Sequence, residues 1–164
     1  WFETLSALEE VEAGVLGARR AANLPVVVTM SYDTASHTMM GVKGSEAGPR
    51  LAKLGVAAVG ANCGANLSET EDAIAEIVDA CRTIPVVAKA NAGIPIWKGS
   101  ELVFDGTPEV MAIHADRARR IGASIIGACC GSTPDHIALM SRVLNGEVSV
   151  ADLSSTVADM SILD

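Results

Sequence analysis

The chain has 164 residues, 49% of them hydrophobic, 20% charged and only 3% aromatic, with a formal charge of −8 and a pI near 4.8. That balance excludes a disordered chain and makes nucleic acid and anionic membranes poor partners, because an acidic surface repels both. No apolar run reaches the roughly 18 residues of a spanning helix, and no basic segment leading into an apolar one opens the chain, so the expected setting is cytoplasmic.

The chain opens on Trp1, not Met, in WFET, which reads as the tail of a strand; the N-terminal portion of a longer protein is expected to precede it. LSALEEVEAGVLGARRAAN (5–23) has apolar residues at helical spacing and closes on Arg19 and Arg20, which suit the negative end of a helix dipole. PVVVTMSY (25–32) is a β-branched run of the buried parallel type. SEAGPRLAKLG (45–55) predicts a helix with Ser45 as N-cap and a length limited by Pro49. AAVGANC (57–63) is the next strand, and SETEDAIAEIVDACRT (68–83) a helix with Ser68 and Glu71 in a capping-box pattern. PVVAKANAG (85–93) is a strand ending at Gly93. TPEVMAIHADRARRIG (107–122) predicts a helix with Thr107 as N-cap, Pro108 at its first position and Gly122 past its end. SIIGACCG (124–131) is the last strand, and TPDHIALMSRVLNG (133–146) repeats the helix punctuation with Thr133, Pro134 and Gly146. The tail, residues 147–164, carries no strong pattern and is assigned no function.

Strand, loop and helix recur about every 30 residues, the length of one βα unit. An open doubly wound sheet and a (β/α)8 barrel both satisfy that repeat. Glu3, Ser31, Asn62, Cys63, Asn91, Cys129 and Cys130 all fall at C-terminal strand ends. A barrel gathers those ends at one mouth, whereas an open sheet spreads them along an edge. The expected fold is therefore α/β, the C-terminal half of a (β/α)8 barrel over residues 1–146, followed by the tail. Half a barrel leaves strand edges and an apolar face open, so on its own it is expected to form homo-oligomers or to be unstable.

The chain has four cysteines, Cys63, Cys81, Cys129 and Cys130, and without a secretory context metal or catalytic use is favoured over bridges. Cys81 falls inside the 68–83 helix and reads as a small buried hydrophobe. The other three end strands and are flanked by small residues, Gly60-Ala61-Asn62-Cys63-Gly64 and Gly127-Ala128-Cys129-Cys130-Gly131, which let a ligand approach the backbone. A disulfide between adjacent cysteines is strained, because their α-carbons are held about 3.8 Å apart. Three thiols at one mouth suit zinc with its fourth position open; there is no CxxC knuckle to close the site and no HExxH. Zinc loaded with three thiolates is a weak activator of water but suits a fourth, soft ligand, a substrate thiol. It deprotonates that thiol, and lowering a thiol pKa by about two units is worth roughly 2.7 kcal/mol.

GANCG (60–64), NAGIP (91–95) and GACCGSTPDHI (127–137) resemble the signature segments of the homocysteine S-methyltransferase family. SYDTASHTMMGV (31–42), KANAGIP (89–95) and FDGTP (104–108) most resemble its bacterial betaine–homocysteine type, and the similarity runs from Trp1 to about Leu144. The resemblance implies a (β/α)8 barrel running from the end of its fourth strand to its eighth helix. It implies Zn2+ held by Cys63, Cys129 and Cys130, and a Glu3 that binds the homocysteine amino group by a charged hydrogen bond. It further implies methyl transfer to homocysteine from betaine, giving methionine. The homocysteine module of a cobalamin-dependent methionine synthase, or an inactive fragment of the barrel, are the other readings. Ala128 stands where the family usually has a second glycine and places a methyl beside the ligands.

Asn62 and Asn91 are expected to line the substrate pocket or to serve as structural hydrogen-bonding groups. Lys89 reads either as a salt-bridge partner inside the barrel or as a neighbour of the substrate carboxylate. His136 is expected on the exposed first turn of a helix and not as a ligand. His37 and His114 carry no assigned role, and Trp97 lies in a loop, either facing substrate or packing.

Overall fold

The computed structural model describes residues 1–160; the last four residues of the tail, 161–164, lie outside the described residues. The strands are β1 (Phe2–Leu5), β2 (Val27–Met30), β3 (Ala58–Cys63), β4 (Val86–Ala90), β5 (Pro95–Lys98), β6 (Glu101–Phe104) and β7 (Ile125–Ala128). The helices are α1 (Leu8–Ala21), α2 (Gly44–Lys53), α3 (Leu67–Ala80), α4 (Pro108–Ile121), α5 (Pro134–Leu144) and α6 (Val150–Met160). Five strands form one parallel sheet in the order β1-β2-β3-β4-β7; four of the expected strands appear in shortened form, and β1 runs one residue past WFET to Leu5. None of the described helices is long and apolar enough to cross a membrane.

The pleat sorts the sheet into two faces. Val28, Met30, Val59, Ala61, Val86 and Ala88 enter one apolar cluster with Val11, Val15, Leu51, Ile74 and Ile77 of α1, α2 and α3. A second cluster joins Ala90 to Met111, Ala115, Met140 and Val143 of α4 and α5. Alternation therefore puts Thr29, Gly60, Asn62, Val87, Lys89 and Gly127 on the opposite face, and the ladder sets Asn62, Lys89 and Gly127 side by side. Gly60 is required there, since a Cβ would fall 2.0 Å from the Val87 carbonyl oxygen.

Helix punctuation is partly as expected. Thr107 caps α4 with Pro108 at its first turn, and Gly122 follows its end at φ 123°. Two expected caps are displaced. Asn66, not Ser68, caps α3, its side chain accepting the Glu69 N–H at 2.9 Å, because the helix already starts at Leu67. Lys43, not Ser45, holds the N-cap position of α2. Gly44 begins that helix because it lies against α3, where a Cβ would meet the Ala73 carbonyl at 2.5 Å, and Ser45 donates instead to Glu76. Arg19 acts on a neighbouring helix end, donating to the Leu54 and Gly55 carbonyls after α2.

The β5–β6 hairpin was not expected. It is an antiparallel pair turned at Gly99-Ser100, with Lys98 opposite Glu101 and Gly99 at φ 67°. The signal was present: a two-residue Gly-Ser turn between short apolar runs reads as a tight hairpin. The hairpin carries Trp97, 70% exposed. In the tail, α6 packs on α4, with Leu153 against the second cluster.

His114, assigned no role from sequence, is fully buried in α4 and donates from Nδ1 to Glu71 of α3 at 2.7 Å, while Arg117 donates to the same oxygen at 2.9 Å. Burial pushes the Glu71 carboxyl up, but the hydrogen bonds from His114 and Arg117 outweigh it and hold the group below its ordinary 4.5. A carboxyl depressed in the folded state adds stability above its unfolded value and loses it as pH falls through the folded one. We therefore expect stability to drop as pH is taken below 4.5. Glu71→Gln should be less stable at neutral pH and show a shallower acid limb; urea unfolding from pH 7 to pH 3 measures both.

Candidate metal centre

β3 delivers Cys63 at its last residue, with φ 58°, and Gly64 follows at φ 82°. Two left-handed residues in succession swing the chain off the sheet and turn the Cys63 side chain away from its strand direction. A non-glycine residue in this region costs about 1–2 kcal/mol. β7 ends at Ala128, and the ladder continues one step through the Cys129 N–H to the Ala90 carbonyl at 2.8 Å. Cys130 donates its N–H to Asn91 Oδ1 at 3.1 Å, and its carbonyl accepts from Ala92 at 2.8 Å. Phe104 of the hairpin covers Gly131, where a Cβ would fall 2.2 Å from its ring.

These two strand ends bring three thiols together. The Sγ of Cys63 is 3.2 Å from that of Cys129 and 3.8 Å from that of Cys130, and all three lie within 4.8 Å of one another. Sulfurs on a tetrahedral zinc, with Zn–S near 2.3 Å, stand about 3.8 Å apart, so the spacing fits the ion. Cys63 and Cys129 are half-buried and Cys130 is exposed, so the cluster opens to one side. Cys81 takes no part: it is buried at the C-cap of α3 beside Gly48, as expected of a small hydrophobe.

Burial and the hydrogen bonds to Cys129 and Cys130 push the Cys63 thiol up to about 12. Cys129 moves the other way: burial opposes its ionisation, but hydrogen bonds from Cys63, Asn62 and the Cys130 N–H outweigh it. The opposite directions come from one close sulfur–sulfur contact, in which either thiol can donate. A soft cation bound among the three would take their thiolate forms.

Asn62 is buried, and its amide is engaged on both ends. Oδ1 accepts from the Thr4 N–H at 2.8 Å and the Thr29 hydroxyl at 2.6 Å. Nδ2 donates to Thr4 Oγ1 at 2.7 Å and lies 3.8 Å from the Cys129 sulfur. Thr4 meets it from an irregularity in the β1–β2 ladder, at φ 65°. Asn91 spans the two cysteine loops, donating to the Gly64 carbonyl at 3.2 Å and accepting from Cys130. Both asparagines thus stand where the sequence puts them and orient the thiol-bearing segments. Glu3 forms an ion pair with Lys89, whose Nζ also sits 5.4 Å from the Trp1 ring centre. Thr4 and Thr29 were missed; the pleat alternation of PVVVTMSY was the signal for Thr29, and nothing local marked Thr4.

Two expectations change. The Ala128 methyl does not enter the cluster, because Ala128 packs on the helix side of the sheet against the second core. His136 is not exposed: it is 7% exposed, accepts the Thr133 N–H at Nδ1 and bonds the Gly106 carbonyl through Nε2 at 2.9 Å. Both nitrogens are used, so it is not a ligand, and it pins the start of α5 to the segment after the hairpin. His37 bonds the Ala35 carbonyl within its own loop.

The profile described as homocysteine S-methyltransferase matches residues 1–144. The chain belongs to the homocysteine S-methyltransferase family. It is 34% identical over 144 residues to a methionine synthase of Mycobacterium leprae, and 33% identical over 141 residues to one of Mycobacterium tuberculosis. Each match covers 82% of this chain, which spans only 12% of those curated relatives. Among solved structures it is similar to the homocysteine methyltransferase MmuM of Escherichia coli. The apo form matches at TM-score 0.67 and 23% identity, over 86% of this chain and 47% of that one. The metallated form matches at 0.65 and 25%, over 85% and 43%. The fold is that of part of a (β/α)8 barrel, as the strand-end argument expected.

Replacing Asn62 by alanine leaves the Thr29 hydroxyl and the Thr4 N–H without their acceptor. We expect a loss of ~2–3 kcal/mol in unfolding free energy by denaturant titration.

Proposed function

We propose that this chain supplies the thiol-accepting part of an enzyme that transfers a methyl group to the sulfur of homocysteine, giving methionine, with Cys63, Cys129 and Cys130 as ligands of Zn2+. The observation that carries the reading is the trio of sulfurs within 4.8 Å at one open strand-end mouth. When bound, zinc supplies the deprotonation of the substrate thiol. The chain's residues do the rest. Asn62 holds Cys129 from below, Asn91 keeps the two cysteine loops in register, and Glu3 binds the substrate ammonium. Hydrogen-bonding groups behind the ligands commonly change metal affinity about 10–100-fold when removed, so both amides belong to the site. No general base is required of the protein, since the thiol loses its proton before methyl transfer.

The segments SYDTASHTMMGV, KANAGIP and FDGTP favour betaine as donor, whereas the identity to methionine synthases supports the homocysteine module of such an enzyme. The second carries more weight because it rests on 144 aligned residues rather than short loops. Residues 1–146 form the homocysteine-binding part, and the tail closes against it through α6. All four cysteines are free, which suits a reducing cytoplasm. The sheet edges at β1 and β7 have a strand partner on one side only, so the isolated chain is expected to associate with itself.

Zinc titration of the full-length protein should give one ion per chain, lost in Cys129→Ser together with methyl transfer to homocysteine and kept in Cys81→Ser. A Cys129→Ser protein with full zinc and full turnover overturns the assignment.

A further inference from the structure

Thr29 is the polar member of an apolar layer. It pairs with Gly60 in the ladder, and Val87 and Ile125 continue the row. It is fully buried, and its hydroxyl donates to Asn62 Oδ1 at 2.6 Å. The Thr4 N–H donates to the same oxygen at 2.8 Å. A backbone N–H can only donate, so that contact decides which end of the amide is which. The oxygen faces Thr4 and Thr29, and Nδ2 is left for Thr4 Oγ1 at 2.7 Å and the Cys129 sulfur at 3.8 Å. Among the described residues the hydrogen bonds of the Cys63 and Cys130 sulfurs run to other thiols. Cys129 is thus the sulfur of the three with a side-chain N–H on it.

Resting on the zinc and homocysteine reading above, we propose that Thr29 is a positioning residue for the metal site: its hydroxyl, acting through the Asn62 amide, draws charge from the Cys129 sulfur so that the trio accepts a fourth, substrate thiolate. The three groups form one chain, from hydroxyl to carbonyl oxygen and from N–H to sulfur. A hydrogen bond accepted at an amide oxygen polarises that amide and makes its N–H a stronger donor, the more so in a dry interior. Three thiolates on Zn2+ already sum to one negative charge, and a fourth brings the total to two. An N–H on one sulfur takes up part of that charge and lowers the repulsion an incoming thiolate meets. A residue needed only to fill the layer has no use for a hydroxyl: valine has the same shape and no proton to place. Thr29 acts from beneath the site and touches neither the thiols nor the substrate.

The test loads the full-length protein with Co(II) and reads the sulfur-to-cobalt charge-transfer band, beside calorimetric binding of homocysteine to the zinc form. Weakening the donor raises the sulfur lone pair, so Thr29→Val should move the band to longer wavelength and weaken homocysteine roughly threefold to tenfold. Thr29→Ser, which keeps the hydroxyl, should return both to within about twofold of wild type. Ile74→Val, a core change in the helix layer, should lower stability and leave the band where it is. Thr29→Ala makes the same comparison should Thr29→Val not fold. An unmoved band in either variant, or unchanged homocysteine binding, overturns the proposal. Loss of fold in both with Thr29→Ser intact also overturns it, because the hydroxyl is then structural. Wild type that takes up no metal, or binds no homocysteine once loaded, instead overturns the underlying reading, a result in which no variant takes part.

Discussion

Cys63 and Cys129 come from strands that are not neighbours, and everything at the site follows from making them meet. β4 lies between β3 and β7, which puts their backbones about 9.6 Å apart at ordinary strand spacing. Their sulfurs are nonetheless 3.2 Å apart. The strand between them must therefore be low at that level, and it is: the residue paired with Cys63 on one side and Ala128 on the other is Ala90. Its methyl points to the helices, where it joins the second core. The sulfurs meet over a nearly bare strand, and Asn91, the next residue, rises beside them to tie the two loops together.

That convergence costs conformational energy, and the cost is borne locally. Cys63 and Thr4 both occupy the left-handed region without being glycine, and for β-branched Thr4 this is an outlier. Each is held by bonds that only this backbone offers. The Thr4 N–H and hydroxyl form a two-point grip on the Asn62 amide, and the Cys63 carbonyl accepts from Thr70 at the start of α3. At about 1 kcal/mol each, such net hydrogen-bond contributions are of the size of the strain they offset. Strain of this kind persists where surrounding structure over-determines it, which is a property of sites more than of scaffolds.

What the sequence displayed plainly were features that depend on one residue and its immediate neighbours. The three thiols were legible because strand ends are marked by β-branched runs followed by glycine. The start of α4 was legible because Thr107-Pro108 states its own geometry. Features that depend on another element were not. Ser45 has the chemistry of a cap, but contact with α3 set where α2 begins. His136 belongs to a first turn that is usually exposed, yet the segment after β6 folds over it. His114 gave no local sign of its pairing, because its partner Glu71 is 43 residues away. Thr4 became visible only once Asn62 was seen to need a second acceptor.

The open face of the sheet is layered, and the layers divide the labour. The lower layer holds Thr29, Gly60, Val87 and Ile125 in register; the last three are small or apolar and fill space, and the Thr29 hydroxyl points on to Asn62. Two residues further along the strands, Asn62, Lys89 and Gly127 replace them with an amide, a cation and a gap. The thiols stand above that. A polar group one layer lower has to reach upward for its partner, as the Thr29 hydroxyl does to Asn62, and without one it would be destabilising. One layer higher it would lose the ladder that holds it in place. The thiols and the polar groups beside them are therefore confined to the last turn of the pleat, where backbone hydrogen bonding still fixes their position. Lys89 is placed at that boundary, deep enough to be held and high enough to be reached.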